Sequence, residues 1–582
     1  MHYEATNMPV YNTDIAEIFD EIADYLEIAG DNPFKIRAYR NASRTVRGQG
    51  IELGDMVAKK EDLTGLPGIG KELAAKILEI LDTGSTRTLQ KLQQRVPGDV
   101  RSILKIPNLG PKRVRILYHD LNIRNLEQLK KAAGDGRIQG LPGFGKQTEK
   151  QILEALEAQA GKEMRYKLDV VKPLVDALID DLATIAGVNQ VVVAGSYRRS
   201  RETVGDLDIL VTAAKYSPVM DGFVEFADVA RILSRGSTRS SVVLRSGLQV
   251  DLRLVDRESF GAALQYFTGS QAHNIAVRQL GRQRGLKINE YGVFKFEDRV
   301  AGETEASVYE AIGLGFIPPE LRENRGEIEA SGEGRLPALV ELNDIKGDLH
   351  VHTEASDGRF SLREMAEAAK NKGLKYIAIA EHSKLLAFAG GLDASRMMAQ
   401  IDEIDRLNEE LKDLIILKSI EVDILKDGRL DLSDDVLSRL DLVVGSVHSH
   451  FSLPREEQTE RILRAMDRPY FSILAHPSGR LINEREPLLL DMEKIITKAS
   501  ERGCFLELNS SPKRLDLNDI YCQIARDLGV LIAINTDAHR TADFDNLRYG
   551  IGQARRGWLE RKDVLNTRPL AELRLLLKGT MG

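Results

Sequence analysis

Cysteine is all but missing. Cys504 and Cys522 are the two in 582 residues and lie far from any Cys-x-x-Cys spacing. This argues against a disulfide framework and a thiolate zinc site, and leaves histidine and carboxylate as the metal ligands available. No apolar run approaches the roughly 18 residues of a membrane span, and the opening MHYEATNMPVYNTD has no apolar core of a secretory signal. The expected address is the cytoplasm, with no membrane partner. With 42% apolar and 29% charged residues, the chain falls outside the disordered and fibrous classes. Its length exceeds what one core usually supports and predicts about three or four domains.

A large excess of one charge is also missing overall, at a formal −7, but the total conceals a local imbalance. Residues 33–150 carry 23 Lys and Arg against 12 Asp and Glu, whereas residues 341–582 carry 35 against 41. A basic N-terminal segment inside an acidic chain is what a nucleic-acid contact requires, and charge alone fits a solvated face as well.

What is present begins with a repeat. LTGLPGIGKELAAKILE (63–79), ILKIPNLGPKRVRILY (103–118) and IQGLPGFGKQTEKQILEAL (138–156) each run from a hydrophobic residue through a Pro and Gly loop into a helical pattern. This is a helix-hairpin-helix signature. Gly68, Gly70, Gly110, Gly143 and Gly145 would let the backbone approach a phosphate, with helix-start N–H groups and Lys112 facing the anion. Such units grip the DNA backbone without reading sequence. One Pro-Gly turn would mean little, since such turns end helices everywhere; three in matched context carry weight. Upstream, NPFKIRAYRNASRTVR (32–47) places Lys35, Tyr39 and Arg40 on one side of a predicted helix, a face that could hold phosphate or simply be amphipathic.

In GSYRRSRETVGDLDILV (195–211), Asp206 and Asp208 stand two apart on a predicted strand and so share a face. SVVLRSGLQVDLRLV (241–255) reads as a hairpin with Asp251 at an otherwise apolar position. A lone Asp-x-Asp fits a solvated surface strand. Three carboxylates converging from neighbouring strands make a hard-oxygen site for Mg²⁺ or Mn²⁺, and the preceding Gly-Ser and arginines add what phosphoryl transfer needs.

Residues 1 to about 320 resemble a family X DNA polymerase, the group of DNA polymerase beta, through FKIRAYR, the hairpin repeats, GSYRRSRETVGDLD, VDLRLV and LQYFTGSQAHNIAVRQLGRQRGLKINEYG (264–292). The resemblance implies that Asp206 and Asp208 bind both metals and that Asp251 completes the site nearest the primer 3'-OH. It implies further that Gly195, Ser196, Arg199 and Gly205 hold the triphosphate, that Tyr266, Phe267 and Gly269 lie at the sugar, and that Asn274 and Arg278 face the nucleotide and template. Lys76 matches the lysine that forms a Schiff base with 5'-deoxyribose phosphate in some members and would touch DNA. Glu72 stands where a phosphate-binding lysine is common, and its charge opposes a 5'-phosphate, so lyase activity is not expected.

Seven of the ten histidines fall between 350 and 539. They sit in or beside seven apolar strand-like runs separated mostly by helical patterns, which implies a parallel barrel-like sheet with its site at the strand C-terminal ends. His350, His352, Asp357, His382, Glu421, His448, His476, Asp537 and His539 are the candidate ligands, enough for two or three ions of the Mn, Zn or Fe type around a bridging carboxylate. This region resembles the PHP domain, which in a family X polymerase implies Mn²⁺-favoured removal of 3'-terminal nucleotides and, in some members, cleavage at abasic sites. His450, Lys384 and Arg480 are further candidates for substrate phosphate.

The expected fold class is thus α/β and α+β multidomain, with helical helix-hairpin-helix domains, a nucleotidyltransferase mixed-sheet palm and a C-terminal (β/α)7-like barrel. The expected boundaries are a DNA-end-binding domain at 1–90, a second hairpin domain at 91–165, the palm at 166–260, a nucleotide-selection subdomain at 261–318, a linker or strap at 319–344 and the PHP domain at 345–582. The expected function is gap-filling DNA synthesis in repair joined to a metal-dependent 3'-5' exonuclease, with gapped or primed DNA and dNTPs as partners and a monomeric state. Template-independent nucleotidyl transfer with a small-molecule phosphoesterase, and a DNA-binding scaffold with a dead barrel, are the alternatives.

Overall fold

The computed structural model describes residues 12–47, 53–58, 60, 62–96, 100, 103–106, 109–163, 165–386 and 389–581. It resolves into two compact units, Met1–Met164 and Arg165–Gly582.

The first unit is helical. Helices Asn12–Ile28 and Pro33–Arg47 pack through Phe19, Ile22, Leu26 and Tyr39, which are all buried. The three sequence repeats fold alike. The same turn bond recurs as Ile69 N to Leu66 O, Leu109 N to Ile106 O and Phe144 N to Leu141 O, at 3.0, 3.1 and 3.0 Å. Helices Lys71–Thr83, Pro111–Asp120 and Lys146–Glu163 follow these turns. Gly68 and Gly143 hold φ of +77° and +81°, a region open to glycine and costly for other residues.

The second unit opens with a five-stranded mixed sheet in the order Val188–Val193, Asp206–Ala213, Gln249–Leu254, Arg239–Leu244, Val229–Ser234. Leu207, Ile209 and Val211 point into the core beneath helix Leu168–Thr184, which leaves Asp206 and Asp208 on the opposite face by simple alternation. Helices Phe260–Thr268 and Gln271–Gln283 and an antiparallel sheet of Lys287–Asn289, Gly292–Lys295 and Asp298–Ala301 follow.

The last portion is a parallel barrel. Strands Gly347–Val351, Tyr376–Ile379 and Ile415–Lys418 form one run, and Glu421–Asp423, Val444–Ser446, Ile473–Leu474, Phe505–Asn509 and Ile532–Asn535 another. The seven runs read from the sequence are all strands, the third interrupted at Ser419 and Ile420. Parallel bridges His382 to Glu421 and Val351 to Ala538 join the two runs into a closed ring.

The stretch read as a linker or strap at 319–344 is packed along much of its length. Glu320 pairs with Arg555 at 2.7 Å, Arg322 with Glu305 at 2.6 Å, Arg325 with Asp519 at 2.9 Å, and Glu327 meets the His273 ring at 2.6 Å. Its charged residues find partners on both sides, so a composition that suggests a solvated linker here builds a strap. Palm and barrel also share a core, in which Ile482 and Leu515 join the palm residues and Trp558 joins the cluster of Val277 and Tyr309. Gly552 lies so close to the palm that a Cβ there would come within 2.8 Å of Ser200 Cβ.

Candidate functional site

All nine barrel candidates converge. His350 and His352 leave the end of strand Gly347–Val351, and Asp537 and His539 follow Ile532–Asn535. The Glu421 carboxylate is the hub. Its Oε2 lies 2.8 Å from His382 Nδ1, 3.5 Å from His350 Nε2 and 3.7 Å from His352 Nε2. Its Oε1 lies 2.9 Å from His476 Nε2 and 3.3 Å from His448 Nε2. Asp537 Oδ1 approaches His352 Nε2 at 3.2 Å, and Asp357 approaches His539 Nε2 at 3.1 Å and His382 Nε2 at 3.4 Å.

Three groups of potential ligand atoms lie within 4.8 Å of one another among the described residues: His352, Asp357, His382 and His539; His350, His352 and Asp537; His382, Glu421 and His448. Despite these short approaches, His350 Nε2, both His352 ring nitrogens, His382 Nδ1 and Glu421 Oε2 are buried without a hydrogen bond of good geometry. Orphaned polar atoms at this density cost several kcal/mol unless something satisfies them, and imidazole with carboxylate is a donor set for Mn, Zn or Fe ions. Burial, then His539 and His382, drives His352 down to about 3, which keeps that ring neutral and able to donate lone pairs. Burial works against a charge at Glu421, but His448, His382 and His350 outweigh it and hold the carboxyl well below its ordinary value.

Sequence reasoning missed Glu507. It lies on Phe505–Asn509, a barrel strand without an assigned ligand, and its Oε1 meets His350 Nδ1 at 2.7 Å while Oε2 accepts from His476 N at 2.8 Å. A carboxylate behind a histidine fixes its ring and tautomer. The strand position offered a signal, because Glu507 is an acid inside an apolar strand.

Two of the other barrel candidates, Lys384 and His450, are exposed. Arg480 is partly buried rather than free in its loop. It grips Glu202 of the palm through two bonds of 2.6 and 3.2 Å and donates to the carbonyls of Arg514 and Leu515.

In the palm, Asp208 and Asp251 are direct register partners across parallel strands, and Asp206 lies one pleat earlier, exposed. Asp251 is buried and takes bonds from Arg239 Nη2 at 2.9 Å and Gln249 Nε2 at 3.2 Å. Burial and then the charges of Asp206 and Asp251 push the Asp208 carboxyl up to about 6, a penalty that a divalent cation would relieve. Gly195, at φ +65°, starts the turn Gly195–Arg198, and a Cβ there would come 3.1 Å from Asp208 Oδ2. Ser196 and Gly205 are partly exposed nearby in sequence. Arg199 Nε bonds Glu323 at 3.1 Å and Nη1 donates to the Thr268 carbonyl. Its neighbour Arg198 is spent on Glu305 and Thr268.

Tyr266 and Phe267 meet edge to face at 5.1 Å, and Arg253 lies 4.2 Å from the Phe267 ring centroid. Gly269 is buried against Arg199, where a Cβ would lie 3.0 Å from Nη1. Asn274 is buried and satisfied internally, donating to Tyr266 O at 2.7 Å and accepting from Gln265 at 2.9 Å; Arg278 Nε bonds the Asn274 carbonyl at 3.2 Å.

The helical unit corrects the expected phosphate face. Tyr39 is core, edge-on to Phe19 at 5.7 Å, and Arg40 is ion-paired with Asp20 and Asp24, so only Lys35 of the three is exposed. The helix buries the side that carries Tyr39 and leaves Phe34 exposed, an orientation that spacing alone could not give. Gly68, Gly70, Gly110, Gly143 and Lys112 lie exposed at or beside the hairpin turns, with Gly145 partly so. Lys76 pairs with Glu72 at 3.0 Å. Burial opposes its charge, but Glu72 and Tyr39 prevail and keep the ammonium protonated.

Comparison with known proteins follows the same divisions. Family models match for a helix-hairpin-helix domain at residues 10–86, a SAM-like helix-hairpin-helix tandem at 100–158, the DNA polymerase beta palm at 168–247, the DNA polymerase beta thumb at 263–323 and the PHP domain at 348–511. Among relatives, DNA polymerase lambda of Rattus norvegicus is 24% identical over 55% of this chain and 57% of its own. A probable phosphatase of Thermoanaerobacter sp. (strain X514) is 30% identical over 38% of this chain and 89% of its own. The DNA polymerase/3'-5' exonuclease PolX of Bacillus subtilis (strain 168) is 40% identical over 98% of this chain and all of its own. Palm aspartates, thumb, hairpins and histidine barrel therefore occur together along one continuous match, and the chain belongs to the PolX family of DNA polymerases with 3'-5' exonuclease, a family X polymerase joined to a PHP domain.

Proposed function

We propose that this protein fills short gaps in DNA by template-directed nucleotidyl transfer and trims 3' ends of the same substrates with its barrel. The observation that carries the reading is the pairing of Asp208 with Asp251 beside the Gly195 turn, in the same compact unit as a barrel cluster of eight potential ligands with His476 against Glu421.

In the palm, Asp206, Asp208 and Asp251 would hold Mg²⁺ or Mn²⁺, which supplies positive charge for an in-line displacement at phosphorus. Arg239 and Gln249 fix the Asp251 carboxylate. Ser196, Arg199 and Gly205 receive the triphosphate of a dNTP, Tyr266, Phe267 and Gly269 border the sugar, and Arg278 faces the template. The internally bonded Asn274 is left to brace Tyr266. In the barrel, the nine residues would hold two or three Mn, Zn or Fe-type ions, which supply an activated water and charge for phosphodiester hydrolysis. Glu507 holds His350 and the backbone of His476 in place. The exposed hairpin glycines and Lys112 grip the DNA backbone. The working state is a monomer in the cytoplasm.

The test is a 5'-labelled primer on gapped duplex DNA with Mn²⁺, resolved on a gel with and without dNTPs. Lengthening with dNTPs and shortening without them is expected. Asp206→Asn should abolish the first and His350→Ala the second; unaltered activity in both variants would refute the site assignments.

A further inference from the structure

An unassigned feature lies where barrel meets palm. Arg556 ends barrel helix Leu547–Arg556 and is 1% exposed. Its Nη1 donates to the Arg199 carbonyl at 2.9 Å and to Glu323 Oε1 at 2.8 Å, while Nη2 donates to Asp519 Oδ2 at 2.7 Å. Glu323 Oε1 also accepts from Arg199 Nε at 3.1 Å. One carboxylate oxygen is thus shared by a palm guanidinium and a barrel guanidinium, and the barrel guanidinium holds the palm arginine's backbone as well. Asp519 is braced in turn by Arg325 of the strap at 2.9 Å. Arg556 lies outside the barrel's nine-residue cluster, so hydrolysis does not account for it.

We propose that Arg556 is a positioning residue for nucleotidyl transfer: supplied by the barrel, it fixes Arg199, through the carbonyl and through Glu323, in the orientation that receives the nucleotide's phosphates. The inference rests on the polymerase reading above. The planar guanidinium reaches three acceptors at once, a geometry that the single ammonium of lysine does not reproduce. An Arg199 freed from this brace would have to give up rotamer freedom each time a nucleotide bound. The cost falls on binding, so the signature is the dNTP KM rather than kcat.

The experiment uses the full chain and gapped primer DNA, with steady-state dNTP kinetics for the unaltered protein, Arg556→Lys, Arg556→Gln, Arg199→Ala, and the double variant Arg556→Lys with Arg199→Ala. Arg556→Lys should raise the dNTP KM about tenfold, with kcat within about threefold, since charge-assisted bonds are lost from the brace alone. That effect should vanish in the Arg199→Ala background, because contacting residues acting in series are not additive. An equal effect in both backgrounds, or loss of kcat together with thermal midpoint, would mean a merely structural role and overturn the proposal. Should Arg556→Gln fail to fold, Arg556→Lys keeps a charge beside Glu323 and Asp519 and carries the test. Absence of extension by the unaltered protein would sink the polymerase reading and this inference with it; extension with an unchanged KM in the Arg556 variants sinks the inference alone.

Discussion

Asp208 and Asp251 face one another across adjacent parallel strands, and Arg239 donates to the Asp251 carboxylate at 2.9 Å. Asp251→Asn keeps the shape and both donors but removes the charge. Primer extension should fall by more than the roughly 10- to 100-fold typical of losing an outer-shell partner, while 3'-end removal by the barrel persists. Comparable loss of both activities would show that the substitution damages the fold rather than the site.

Glu507 tests the barrel from behind its ligands. Glu507→Gln leaves an amide against His350 in place of a carboxylate 2.7 Å away, and Mn²⁺-dependent shortening of a labelled primer should drop about 10- to 100-fold. Extension should be unaffected. A variant with full nuclease activity would remove Glu507 from the mechanism.

Removing metal should cost stability as well as activity. The orphaned atoms of His350, His352, His382 and Glu421 gain partners when ions bind the folded state, so adding Mn²⁺ to chelator-treated protein should raise the thermal midpoint by mass action. In His352→Ala, which takes a member from two of the three groups, the increase should shrink markedly.

The strap carries a pH signature. Burial opposes charge at Glu323, but Arg556 and Arg199 outweigh it and hold the carboxyl below its ordinary value. A depressed carboxyl stabilises fully above its unfolded value, ~4.3 for glutamate, and that contribution is lost as pH falls through the folded value. At pH 7 the unaltered protein should therefore be more stable than Glu323→Gln, and the gap should narrow only as the pH drops below the ordinary carboxylate range. Chemical denaturation of both proteins across pH measures it; a gap independent of pH would refute the coupling.

Lys76 should form no trapped Schiff base. The nucleophile is the neutral amine, and Glu72 at 3.0 Å favours the ammonium. Borohydride treatment with incised abasic DNA should leave no more cross-link than in Lys76→Ala.

Much of this was legible wherever chemistry and periodicity coincide. Strand alternation alone puts Asp206 and Asp208 on one face, and the barrel's candidate ligands recur at strand ends. Besides Glu507, three cases escaped, two of them for want of a partner distant in sequence. Arg480 looks like any loop arginine until Glu202, 278 residues earlier, is beside it. The strap reads as solvated because its partners Arg555, Asp519, Glu305 and His273 belong to other elements. Tyr39 and Arg40 read as a phosphate face because spacing says which residues share a side and not which side is buried.

The contact between Ser200 and Gly552 bears on how such enzymes can be recombined. A single added carbon at 552 would collide with the palm, and the two cores interleave around Ile482, Leu515 and Trp558. The halves are therefore poor modules for exchange: a chimera that grafts this barrel onto another polymerase inherits a seam cut to fit one neighbour, and would have to transplant the matching rim of the palm with it.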